Sequence, residues 1–469
     1  MTYRMTGKLF WSGARHIAAV AAALTLGSCE PTEFLEVTDP DIINPIDVTS
    51  AAGANAVRQG ALARLNAATS GGTTVSGSFQ DEGIFLFGGL FADEWNNGDS
   101  FIARQEIDQR VITIQNNFLT SANRALHRAR LAATQAIELL LEFNPTGPAA
   151  ERAEMYFVLA YVENIIAEHY CNGIVFSTVV DGAEQYGEPK TTQDVFTLAL
   201  AHADSGLALI TGTTAADVRI RNVLQVTRGR ILLNLNRPAD AATSVTGVPT
   251  NFVYQMQHAI TANSNQIWSM NNLARRYSVS TGEGTNGLNF ATANDPRVPI
   301  CEGGDATCRA IGVTTATRDD LSRPFYVQRI WPTRESSVTI VSGVEARLIE
   351  AEAQLRAQNF VASLATLNAL RTTVTGLTPL TPATTDAARV DQLFRERAFW
   401  MFSTGHRTGD LRRLVRQYSR AANTVFPVGA WHKGGNYGVD VNIPIPMAEQ
   451  NNPNLGTTGT AQTCIDRNA

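Results

Sequence analysis

Paired stretches of helical periodicity joined by short turns constrain this chain more than any other feature. In "PAAERAEMYFVLAYVENIIAEHY", Phe157, Tyr161 and Ile165 recur every four residues, which sets them on one face of a helix. Pro148 stands near its first turn, where the missing N–H costs nothing. Similar patterns run from Ser50 to Ala68 and through "SANRALHRARLAATQAIELLLEF", "TTQDVFTLALAHADSGLALI", "RNVLQVTRGRILLNLN" and "ADAATSVTGV". The pattern returns at "VEARLIEAEAQLRAQNFVASLATLNALR" and "RVDQLFRERAFWMFSTGHRTGDLRRLVRQY". Between residues 251 and 340 it vanishes, and Gly282, Gly284, Gly287, Gly303 and Gly304, with several prolines, mark loops and short strands. The expected fold class is mainly α, with an irregular loop-rich subdomain and a few short strands.

Helical pairs raise the question of repeats. A tetratricopeptide unit needs small residues where its two helices cross and large apolar residues between and after them. Gly229, Leu232, Ala241 and Val245 suit that pattern in one hairpin, and Ala351, Phe360, Ser363, Leu367 and Leu370 in another. The pattern is degenerate, because a generic helical bundle satisfies part of it. Stacked hairpins of this kind make concave scaffolds for proteins.

At the start, Ile17 to Gly27 form an apolar run too short for a membrane span, which needs about 20 residues. Arg4, Lys8 and Arg15 precede it, no acid appears before Glu30, and small residues close it. This is the layout of a secretory signal. The cysteine directly after "LGS" resembles the lipobox of bacterial lipoproteins, which implies acylation of Cys29 and a mature chain that begins there. More than one acyl chain is needed for stable anchoring. The expected organisation is a signal peptide over residues 1–28, a tether over 29–49, a helical region over 50–250, an irregular segment over 251–340 and a C-terminal region over 341–469.

Loss of Arg4, Lys8 and Arg15 takes the formal net charge from −5 to −8. An acidic surface disfavours nucleic acid, which asks for a basic face. Lipidation of Cys29 leaves four cysteines, an even number that in an exported chain suggests disulfides. Cys301 and Cys308 flank the Gly-rich turn "EGGDAT" and are expected to close a small loop, which leaves Cys171 and Cys464 paired only by elimination. Zinc is the alternative, but the paired C-x-x-C clusters it favours are lacking.

In the C-terminal third, Glu396, Arg397, Gly405, Arg407, Asp410, Leu411, Arg412 and Arg413 are spaced like the "ER…G-x-R-x-x-D-L-R-R" signature of the SusD/RagB family. "VNIPIPMAEQNNPNL" resembles that family's closing motif, Asn294 to Pro299 its Asp-Pro-Arg element, and Asn368 with Arg371 the end of its helical hairpin. The chain departs from the pattern at Trp400 and Thr404, where the family often carries glutamates. Three-residue spacing lets Arg407 and Asp410 pair on a helix. Glu396, Arg397, Arg407, Asp410 and Arg413 are accordingly expected to form a structural ion-pair network.

The resemblance implies a tetratricopeptide-containing, noncatalytic lipoprotein on the outer leaflet of the outer membrane. It implies binding of glycans, or of peptides in the RagB branch, and delivery to a SusC-like TonB-dependent transporter on which the hairpin side rests. Glycan capture needs flat aromatic faces and amides or carboxylates for hydroxyls. "GGLFADEWNNGDSF" offers Trp95, Asn96, Asn97 and Asp99, and the irregular segment adds Trp268, Tyr277, Tyr326 and Trp331. Trp95, Asn97, Asp99, Tyr277 and Trp331 are the candidate ligand residues, with core packing as the competing role of each aromatic. No cofactor and no metal is expected. An enzyme is not expected: Asp93 and Glu94 are adjacent, so on a strand they point to opposite faces. His127, His169 and His202 lack a metal-ligand partner at i+4, and no H-E-x-x-H, G-x-S-x-G or phosphate loop appears. A tetratricopeptide scaffold that binds only proteins, or an exported helical hydrolase or lyase, are the alternatives.

Overall fold

Helical hairpins supply the frame, and the computed structural model describes them within residues 47–72, 82–180, 183–260, 263–318, 323–455 and 464–469. The apolar run 17–27 and Cys29 lie outside the described residues. The first half carries α1 (Ala51–Ser70), α2 (Ile84–Phe91), α3 (Ile102–Gln109), α4 (Asn117–Phe143), α5 (Ala149–His169), α6 (Thr192–Leu209), α7 (Ala215–Asn234) and α8 (Pro238–Ser244). The second carries α9 (Gly343–Arg356), α10 (Phe360–Arg371), α11 (Asp386–Trp400) and α12 (Arg407–Tyr418). Side chains fix where these helices begin. Asn116 accepts from the Phe118 and Leu119 N–H groups ahead of α4, and Thr191/Asp194 and Thr214/Asp217 form reciprocal capping boxes for α6 and α7.

The helix α5 is buried almost all round, because α1, α4, α6, α7 and α12 all pack on it. The tetratricopeptide-like crossings follow from small residues. A Cβ on Gly229 would lie 2.8 Å from Val245 Cγ1, so glycine is what lets α7 and α8 close. In the later hairpin the Ser363 hydroxyl donates to the Ala351 carbonyl at 2.8 Å, and Ala351, Leu367 and Leu370 are buried. Among the described residues, no helix is long and apolar enough to cross a membrane.

Short antiparallel pairs replace a large sheet. They include β1 (Trp95–Asn97) with β3 (Tyr277–Val279), β2 (Val253–Met256) with β6 (Val338–Ser342), and β4 (Ile300–Glu302) with β5 (Tyr326–Gln328). Val253 faces Ser342, so the irregular segment leaves and rejoins the helical frame at one neck. Two disulfides are formed. Cys171–Cys464 spans 293 residues and ties the C-terminal end to the residue after Tyr170; Cys301–Cys308 closes a seven-residue separation and packs with Val313, Phe325 and Val327. The closing motif runs beside the end of α5, where the Cys171 N–H donates to the Ile443 carbonyl and the Ile443 N–H to that of His169.

Two features differ from the sequence pattern. The stretch from Arg389 to Tyr418 is two helices, broken where Ser403 (φ 54°) and Gly405 (φ 74°) adopt left-handed backbone. The helix α2 is apolar on every face and wholly buried; with no polar face it carries no amphipathic signature.

Candidate functional site

The early loop singled out by its aromatic and amides grows from the end of α2. Register in the β1/β3 pair sets Trp95 opposite Val279, Asn96 opposite Ser278 and Asn97 opposite Tyr277, and the Gly98 N–H extends the ladder to the Arg276 carbonyl at 2.8 Å. Local side-chain turns then fold the loop: Asn97 Oδ1 accepts from the Asp99 N–H at 2.7 Å, and Asp99 Oδ1 from the Phe101 N–H at 3.0 Å.

Trp95 and Tyr277 lie fully buried, in edge-to-face contact at 6.2 Å. Trp95 Nε1 donates to Ser403 Oγ at 3.0 Å, and the Tyr277 hydroxyl donates to Glu82. Arg104 donates from Nε to both Glu82 oxygens, at 3.0 and 3.1 Å, and from Nη1 to Asp99. Burial pushes the Glu82 carboxyl above the usual carboxylate range even against Arg104, and burial with the Glu82 charge pushes the Tyr277 phenol well up. Asn97 is buried with its N–H on Asp108 Oδ2. Trp331 is buried too, exchanging two hydrogen bonds with the Gln328 amide through its own backbone.

Side chains this enclosed have no flat face for a sugar ring; Trp95, Asn97, Asp99 and Tyr277 serve as the foundation of the loop, and Trp331 is held at Gln328. What reaches solvent is the end of the same loop. Phe101 is 48% and Ile102 71% exposed, and the Arg276 guanidinium lies 5.4 Å from the Phe101 ring centre. Trp268 and Tyr326 are half-buried.

The loop's fit depends on Gly98. A Cβ there would sit 2.4 Å from the Arg275 carbonyl oxygen, so backbone has to move. Gly98→Ala is expected to lower stability by about 1–3 kcal/mol, read from the denaturant midpoint of unfolding; an unchanged midpoint would show that the ladder tolerates separation.

The C-terminal motif residues form two ion networks on either side of α11. Arg397 grips Asp410 from Nε and Nη2 at 2.8 and 2.9 Å, and Arg413 bridges Asp410 at 2.7 Å and Glu352 at 3.0 Å. Burial alone would raise the Asp410 pKa; Arg397 and Arg413 overcome it and hold the carboxyl well below the usual range. Glu396 turns the other way, to Arg297 at 2.6 Å and Arg371 at 2.7 Å, with Arg297 also on Asp295. One expected pair is corrected. Arg407 donates to Asp93 at 2.6 and 2.7 Å, because it starts α12 beside the loop after α2, while Asp410 is already held by two guanidinia. At the departures from the family pattern, Thr404 caps the Met401 carbonyl at 2.6 Å and Arg297 lies 5.2 Å from the Trp400 ring.

The histidines have structural partners. His169 Nδ1 lies 2.8 Å from the Ile165 carbonyl, His202 Nδ1 2.7 Å from Glu163, and His127 packs edge-on to Phe176. Among the described residues Asp108, Glu283 and His432 bring possible metal-ligand atoms within 4.8 Å of one another. There His432 Nδ1 faces the guanidinia of Arg318 and Arg323 at 3.3 and 3.2 Å. Guanidinium groups only donate, so the imidazole proton belongs on Nε2, directed at Asp108 Oδ2 2.6 Å away. That arrangement suits a hydrogen-bonded cluster, with the Nδ1 lone pair turned to the guanidinia and the Nε2 proton to Asp108. Cys301, Asp305 and Cys308 also converge, but the two thiols are joined in the disulfide.

A mainly α scaffold with tetratricopeptide-like hairpins, presenting a loop platform bolted down by buried ion pairs, is the class these features define. Neither a protein-family model nor a curated protein matches the chain. Solved structures do. A SusD superfamily protein from Parabacteroides distasonis superposes with TM-score 0.64 at 12% identity, over 88% of this chain and 100% of that one. A SusD-like carbohydrate-binding protein from Bacteroides fragilis gives 0.62 at 13%, over 87% and 99%, and a SusD superfamily protein from the same species gives 0.60 at 15%, over 86% and 97%. The fold is that of the SusD superfamily.

Proposed function

We propose that this chain is a SusD/RagB-family lipoprotein, held at the bacterial surface by acylated Cys29, that binds glycans and hands them to a SusC-like TonB-dependent outer-membrane transporter. The observation that carries the reading is the SusD-superfamily fold over nearly the whole chain, shared with a structure described as a SusD-like carbohydrate-binding protein. The signature residues act within that fold as ion networks, which accounts for their spacing without any catalytic role. Binding without turnover is therefore the activity proposed, with oligopeptides as the RagB-type variant of the ligand. An apolar groove of about 530 Å³ on the α9–α10 hairpin, lined by Leu355, Phe360, Val361, Leu364 and Pro382, supports a protein partner on that side.

Two measurements test this together. Affinity purification from native membranes is expected to recover a β-barrel transporter, and Cys29→Ala is expected to move the protein from the membrane to the soluble fraction. Recovery of no barrel would overturn the import role. An unchanged membrane fraction for the alanine variant would overturn the anchor.

A further inference from the structure

We propose that the exposed edge beside Phe101 is a subsite for an acidic sugar, in which Arg276, assisted by Arg275, receives a carboxylate or sulfate of a saccharide lying against the Phe101 ring. This rests on the reading that the chain binds glycans, and adds the class of glycan.

The first observation is a cation whose hydrogen-bonding capacity is unmet. The Arg276 side chain is 32% exposed; its enclosed Nε has no hydrogen-bond partner and pairs with Asp99 Oδ2 only at 3.7 Å, an ion pair beyond hydrogen-bond reach, so the exposed part of the guanidinium is what a ligand can meet. Asp99 is engaged elsewhere, accepting from the Phe101 N–H and from Arg104. The contrast with Arg104, Arg297, Arg397, Arg407 and Arg413 is clear, since each of those holds a carboxylate by direct hydrogen bonds. The neighbouring Arg275 is exposed and meets a neutral acceptor, Thr315 Oγ1, at 2.9 Å. A chain with net charge −5 thus sets two adjacent guanidinium groups at one loop edge, and among the described residues no carboxylate is in direct hydrogen bond to either.

The second observation is the backbone that carries them. Ser269–Leu273 is a π-helical turn, and Arg275 follows in left-handed conformation at φ 56°. Both are costly for ordinary residues and concentrate at functional positions. Their effect is geometric: the Arg276 N–H returns to the Met270 carbonyl at 2.8 Å, and Leu273 is left 56% exposed. The third is proximity, fixed by the Gly98–Arg276 hydrogen bond, which holds this turn against the loop bearing Phe101.

The chemistry follows. A ring face can cover Phe101 while an equatorial acid on the same or the next sugar reaches the guanidinium fork. A hydroxyl would accept one hydrogen bond, whereas a carboxylate or sulfate meets both the planar donor pair and a charge that Asp99 balances only at a distance.

The test is calorimetric titration of the full chain with matched ligand pairs. Oligogalacturonate is compared with its methyl ester, and sulfated carrageenan oligosaccharide with neutral agaro-oligosaccharide, so that carboxylate and sulfate are distinguished. At least one acidic member is expected to bind about tenfold or more tightly than its neutral counterpart, and the preference is expected to shrink as ionic strength is raised to about 0.5 M. Arg276→Gln is expected to bring the acidic-to-neutral affinity ratio down to about one, Arg276→Lys to keep part of it, and Phe101→Ala to weaken both members. Equal binding of acidic and neutral sugars, or an Arg276→Gln variant that keeps the preference, overturns this subsite and leaves glycan capture standing. Binding of oligoglutamate but no sugar overturns the saccharide assignment, and absence of any sugar binding overturns this proposal and the glycan reading together.

Discussion

Replacing Asp410 by alanine is expected to cost about 3–5 kcal/mol of folding stability, the range for removing one partner of a buried ion network. Asp410 accepts from Arg397 and Arg413, both almost wholly enclosed, and Glu352 alone cannot balance them. Arg397 Nη1 lies 3.8 Å from Glu352, too far for a hydrogen bond, so the variant leaves a buried guanidinium without one. The measurement is urea unfolding of wild type and variant. Asp410→Asn serves as the milder control: it keeps the shape, loses the charge and is expected to fall between the two. The pH dependence has a definite sign. A carboxyl whose folded pKa is depressed contributes stability that is present above its unfolded value, about 4, and lost as pH falls through the folded value. The gap between wild type and Asp410→Ala should be full at neutral pH and narrow in acid. A gap below about 1 kcal/mol at neutral pH would mean that the network fixes geometry without stabilising the fold, as some buried ion pairs do.

The part of the fold legible in the sequence is the part set by local rules. Helices α4 to α7 announce themselves through four-residue periodicity, and the crossing residues Gly229 and Ser363 are small because the helices touch there. The ion network was legible as a cluster but not in its pairing. Arg407 finds Asp93, 314 residues away in sequence, and no spacing rule reaches that far. The same limit governs the ligand surface. Trp95 looks like a sugar platform until Ser403 and Tyr277, from distant segments, close over it. Phe101, five residues beyond Asn96 in that loop, reaches solvent because the Asp99 turn redirects the chain. Arg275 and Arg276 gave one signal, two adjacent arginines after a run where helical pattern fails, but their proximity to Phe101 depends on a strand pair joining residues 95–97 to 277–279.

Glu94→Gln is expected to stabilise the protein in alkali and leave it nearly unchanged in acid. Glu94 is enclosed behind α2; its Oε1 accepts from the Ser403 N–H at 2.8 Å, and its Oε2 has no hydrogen-bond partner. Burial, with the Asp93 and Asp410 charges adding to it against Ser403 and Arg407, pushes its pKa up to about 8. Below about pH 4.5 both folded and unfolded chains carry this proton. Between that value and 8 the folded state keeps a proton that the unfolded chain releases, so stability falls by about 1.4 kcal/mol for each pH unit. Above pH 8 the carboxylate is charged in both states and the penalty is complete, on the order of 3–5 kcal/mol. Glutamine keeps the acceptor for Ser403 and the neutral shape but has no proton to lose. Titratable groups elsewhere are common to both proteins and cancel in the difference. Urea unfolding of both chains from pH 4 to pH 9 should give curves that coincide in acid and diverge steadily, the variant ahead by a few kcal/mol at the alkaline end. Parallel curves across that range would place the carboxylate ionised in the folded protein, and the enclosure behind α2 would then have to admit a compensating charge or water.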